Sequence, residues 1–252
     1  MPADAPALPV SAVAAWWATA WLRGHVVLDL VLDAVLGQDA THVVAGLPGL
    51  EGSVPLGRAL GELRLAGAAS FGLALAVPGD PVGLGGPPEL TTAVLEGGEA
   101  LVAGATALVP LRVGAAVEWT AYAASPRQLA DAGEADRGLR LALNHAATAL
   151  AELEVARWRP EAADALMNLH RPPRLRPPPG TPIRCAELAG RSLQASAIVD
   201  LALEDDGGAV SAADVAQRRE SLLPLAAAAR RGLVAACSPE GWPPDEDPGQ
   251  VP

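Results

Sequence analysis

Whatever this chain folds into must be closed with small side chains. Alanine fills 54 of its 252 positions, against six Trp, one Tyr and one Phe. Half of the residues are hydrophobic, but the positive mean hydropathy comes from alanine and not from any long greasy block. The longest apolar runs, residues 65–77 and 100–111, fall short of the about 20 residues a membrane-spanning helix needs, so they read as core segments. Stripes of alanine let helices approach one another closely. A chain of this length holds one large domain or two modest ones.

Charge and cysteine usage narrow the class. Lys+Arg is 18, all of it arginine, and Asp+Glu is 29, a formal charge of −11. That balance argues against a nucleic-acid or anionic-membrane partner, whose usual signature is a basic face. Two cysteines, Cys185 and Cys237, are too few for a disulfide scaffold or a cysteine-built zinc site. The first basic residue, Arg23, follows the first apolar stretch, so no secretory signal is expected. The protein therefore reads as cytoplasmic with both thiols reduced.

The spacing of apolar residues predicts an α+β fold. Residues 1–10, with three prolines, read as a flexible tail. Ser11 then serves as N-cap of one helix with apolar positions Val13, Trp17, Trp21, Gly24, Leu28, Val31 and Val35, ended by Gly37. Residues 41–46 form a strand closed by Leu47-Pro48-Gly49. A helix over residues 56–65, a buried strand over 70–77 and a short helix over 89–96 follow, the last with Pro88 near its first turn. Residues 99–103, 107–113 and 116–124 are strands of an antiparallel meander punctuated by Gly104 and Gly114. If strand alternation holds, Trp119 and Tyr122 take opposite faces, with core packing favoured over an interface. Residues 11–124 thus predict a mixed, partly antiparallel sheet with packed helices.

Residues 125–237 read as helical: a long helix with its stripe from Leu129 to Leu153, a short one over 161–169, and a stiff Pro/Arg connector over 171–182. An αα-hairpin of residues 183–203 and 212–236 closes the region, with Pro224 expected to bend or break its second helix. Residues 238–252 are an acidic, Pro-rich tail expected to be mobile.

The glycine-rich segment 78–88 lies between a strand and a helix, where backbone amides and the helix dipole hold anions. It nominates Gly79, Asp80, Gly83, Gly85 and Gly86 for a small anionic ligand, although Pro88 stands where the dinucleotide fingerprint needs its third glycine. A second candidate is the strip His25, Asp29 and Asp33, spaced by four on the first helix, an acid/base pair or part of a cation site. No complete metal set and no cofactor motif follow from the sequence, and no Gly-x-Ser-x-Gly elbow is present. Cys185, next to Arg184 at a helix start, is read as buried and not as a nucleophile.

Two functional readings result. The first is a non-catalytic cytoplasmic protein acting through partner binding or self-association, as a homodimer on the base rate for oligomers. The alternative is a small-molecule or anion-binding protein, or an enzyme, using residues 79–88.

Overall fold

The computed structural model describes residues 7–152, 172–204 and 212–243. Its elements are α1 (Val10–Leu22), α2 (Leu28–Leu36), β1 (Thr41–Ala45), β2 (Ser53–Pro55), α3 (Leu56–Leu65), β3 (Gly72–Val77), β4 (Asp80–Val82), α4 (Pro88–Gly97), β5 (Ala100–Ala103), β6 (Thr106–Val113) and β7 (Ala116–Ala123). The helices α5 (Ala132–Glu152), α6 (Ile183–Glu204) and α7 (Ala212–Ala236) follow. The strands form one seven-stranded sheet in the order β2-β1-β7-β6-β5-β3-β4. β1 and β7 run parallel, and the other neighbours are antiparallel, including the β5-β6-β7 meander. The fold is α+β, with a mixed sheet first and a helical C-terminal half.

Strand alternation sorts the core into two faces. Val44, Leu101, Leu108, Val117 and Trp119 point to one side, where α1, α2 and α3 cover them. Farther along that face, toward β4, Leu73 and the partly buried Leu75 and Val82 receive α7, against which α5 and α6 pack. The opposite side, with Ala74, Ala100, Val102, Ala107 and Val109, is covered by α4 through Leu90 and Val94. Trp119 is fully buried on the first face and Tyr122 packs against the second. Beyond α4 the second face opens: Leu111 is 63% and Val113 is 55% exposed on the strand that carries the buried Val109.

The α6–α7 pair is antiparallel and close. Leu188 and Ser192, early in α6, abut Gly232, late in α7, and a Cβ there would lie 2.4 Å from Ser192 Oγ. Helix α7 runs through Pro224, so the proline does not end it. The short helix expected over 161–169 lies outside the described residues.

Several expectations change. The single helix over 11–36 is two helices, because Gly24 adopts φ +76 after α1, a conformation that favours glycine and ends the helix. Counting Gly24 as one more apolar position hid that turn. Ser11 lies inside α1, whose N-cap is Pro9, and the Ser11 N–H is taken up by Glu99 Oε2 at 2.7 Å. The N-terminal tail is shorter than residues 1–10, since Leu8 already packs on the core. The segment 78–88 is not an open loop, because β4 pairs with β3 within it. The expected mobile tail from residue 238 begins as a docked turn: Ser238 is buried, a 3-10 turn spans Pro239–Gly241, and Trp242 Nε1–H donates to Ala236 O at 2.9 Å.

Candidate functional site

Where β4 stops, the edge of β3 is completed by side chains. Thr19 Oγ of α1 accepts from Phe71 N–H and donates to Phe71 O, both at 3.0 Å. Ser238 Oγ accepts from Leu73 N–H at 3.1 Å. Arg127, between β7 and α5, donates through Nη1 to Leu73 O at 2.8 Å and to Gly83 O at 2.9 Å. Its Nη2 reaches Ser238 Oγ at 3.3 Å and Glu240 Oε1 at 3.2 Å. The guanidinium lies directly over Gly72, where any Cβ would come within 1.9 Å of Nη2. Three segments distant in sequence thus satisfy backbone groups that a further strand would otherwise take.

The glycine-rich segment supports this arrangement. A Cβ on Gly83 would stand 2.7 Å from Leu73 O, and one on Gly85 would stand 2.7 Å from the carbonyls of Ser125 and Pro126. One on Gly86 would meet Leu90 at 2.9 Å, while Gly79 forms the β3–β4 turn at φ +81. Gly83, Gly85 and Gly86 therefore permit close packing. Asp80 accepts from Arg230 at 2.8 Å and Arg231 at 2.7 Å, so the carboxylate tying β4 to α7 is the chain's own. Beside it, Gly83, Gln128, Leu129 and Arg231 line a cavity of about 180 Å³.

His25 and Asp29 do not share a helix face. His25 sits in the exposed turn after α1, against Gly180, where a Cβ would lie 2.4 Å from His25 Cδ2. Asp29 and Asp33 are exposed on α2, with Asp29 in its first turn, where the dipole favours an acid. The structure gives His25 and Asp80 different partners on different elements. Among the described residues, no group of three His, Cys, Asp or Glu is placed to hold a metal ion.

A chain of polar contacts not anticipated from the sequence runs behind β1. Trp119 Nε1–H donates to His42 Nδ1 at 3.1 Å, and His42 Nε2 meets Asp39 Oδ2 at 3.2 Å. Indole nitrogen only donates, so the hydrogen-bond pattern places the neutral imidazole proton on Nε2, facing Asp39. Both ring nitrogens of buried His42 are thereby engaged. Arg112 grips Asp39 from outside, and this hydrogen bond chiefly holds the Asp39 carboxyl below its usual range. The only sequence signal was Asp39 standing three residues before His42.

Asp39 and Arg112 also line a cavity of about 450 Å³ with Val10, Leu36, Glu96 and Glu99. Burial raises the Glu99 carboxyl above its ordinary range, against the opposing hydrogen bond from Ser11. Both cysteines are buried. Desolvation raises Cys185 to about 11 and Cys237 well above the ordinary thiol value, which disfavours the reactive thiolate.

Fold and contacts together define a two-part α+β protein whose helical C-terminal half is stitched to one edge of an N-terminal sheet. The chain belongs to the Rv1486c-like protein family: residues 11–134 match the family's N-terminal domain and residues 133–234 its C-terminal domain. No curated protein and no solved structure matches the chain. Among the described residues no helix is long and apolar enough to cross a membrane.

Proposed function

We propose that this protein is non-catalytic and cytoplasmic and acts by binding another protein chain, a second copy of itself first of all. The observation that carries this reading is the open end of the second sheet face. There Leu111 and Val113 stand exposed on β6, next to Glu118 and Ala116 of β7. Edge-to-edge pairing is the less favourable route, because the edge strands β2 and β4 are three residues each and contain Pro55 and Pro81. The face is the more suitable surface for burial against a partner. The engagement of His42, Asp39, Asp80 and Arg127 in internal contacts supports a role in binding and not in proton transfer or nucleophilic attack. Two buried free thiols fit a reducing compartment.

Sedimentation equilibrium at micromolar concentration tests this reading. The expected result is a dimer mass for the native chain and a monomer mass for the Leu111→Ser, Val113→Ser double variant. A monomeric native chain, or a double variant that remains dimeric, overturns self-association through this face.

A further inference from the structure

We propose that the groove beside Arg127 binds a small carboxylate with an apolar body, and that Glu240 is the internal competitor for that position. The groove has a volume of about 760 Å³, within the range of small-molecule sites. Val102, Ala105, Ala124 and Leu129 are apolar residues of its lining, and Arg127 and Glu240 are its charged ones.

Arg127 is what gives the groove its chemistry. Its side chain is 6% exposed, and guanidinium stays charged under all ordinary conditions. Such a cation needs an anionic partner, because removal from water is costly without one. Leu73 O, Gly83 O and Ser238 Oγ are neutral acceptors. Among the described residues its anionic partner is Glu240, which reaches Nη2 at 3.2 Å and is itself 47% exposed. The permanent cation is therefore held by the fold, whereas its counter-charge rides on a three-residue turn near the C-terminal end of the described chain.

A ligand carboxylate makes the same contact as Glu240 and adds burial of its apolar body along Val102, Ala105 and Leu129. The glycine-rich segment takes part as support: Arg127 donates to Gly83 O, and the carbonyls of Ser125 and Pro126 press on Gly85. The anion preference is thus attributed to a buried side chain 44 positions after Gly83, and not to the amides of the segment.

The test uses the full chain and sodium hexanoate, followed by calorimetry and by amide chemical shifts around Val102 and Leu129. The expected results are measurable binding by the native chain and roughly tenfold tighter binding by Glu240→Gln, which is about 1.4 kcal/mol. Ala105→Trp, which adds bulk to the groove lining, is expected to lose hexanoate binding while keeping its circular dichroism and melting temperature. Hexylamine and hexanol are expected not to bind. Absence of hexanoate binding in both native and Glu240→Gln proteins overturns the proposal. So does equal affinity in the two, retention of binding by Ala105→Trp, or equal binding of hexylamine.

Discussion

The two sides of the β3 seam are packed from different material. Among the described residues, the buried cluster beneath α1, α2 and α3 has 18 members, of which five are alanine, and it closes around Phe71 and Trp119. The cluster joining α5, α6 and α7 has 22 members, ten of them alanine. One core is built around large rings set between sheet and helix. Among its described members the other holds one buried ring, Trp16, whose Nε1–H donates to Ala236 O, and is otherwise filled by alanine and aliphatic side chains, with Gly232 set against Ser192 Oγ and Leu188. The first is therefore sensitive to lost volume and the second to added volume, although both read simply as hydrophobic in the sequence.

Truncating the ring-centred core should produce the largest change. Trp119→Ala leaves a cavity at a fully buried site and deprives His42 Nδ1 of its donor, so it is expected to cost about 3–5 kcal/mol by urea denaturation. A loss below 1 kcal/mol would show that the first core can collapse around the gap. In the alanine core the opposite change is the informative one. Gly232→Val should cost about 1–3 kcal/mol through overpacking against Ser192. A neutral result would show that α6 and α7 slide apart freely and would erase the contrast.

The smallest effect concerns Glu99, whose carboxylate meets the start of α1 in the sheet half. Its pKa is raised in the fold by burial, so the folded chain holds this proton more tightly than the unfolded one. The associated stability is fully present below the ordinary value of 4.5 and is lost as pH rises through the raised folded value. Glu99→Gln cannot titrate, so its melting temperature should gain on the native protein as pH increases across that window. A difference independent of pH would remove Glu99 as the source.

Much of the fold was legible because its signals are local. The leucines of Leu56–Leu65 give α3 with its observed bounds, and Gly104 and Gly114 mark the turns between β5, β6 and β7. Gly24 was misread because apolar periodicity does not register a positive φ, and it takes the His25–Asp29 row with it. β4 escaped notice because Asp80-Pro81-Val82 is too short to show alternation. The candidate groove was less accessible still. The glycines around Gly85 drew attention to the right neighbourhood, but its charge comes from Arg127, and Asp80 is engaged by arginines 150 and 151 positions away. Spacing rules carry no information about partners at such separations.

The seam also imposes an order on biosynthesis. The amide of Leu73 receives its acceptor from Ser238, which is made 165 residues later. At synthesis rates of about 5–20 residues per second, that delay is on the order of ten seconds or more. During it the nascent sheet exposes an incomplete β3 edge, a place where another emerging chain can pair. Closing that edge is a late event, reached only after the helices have left the ribosome.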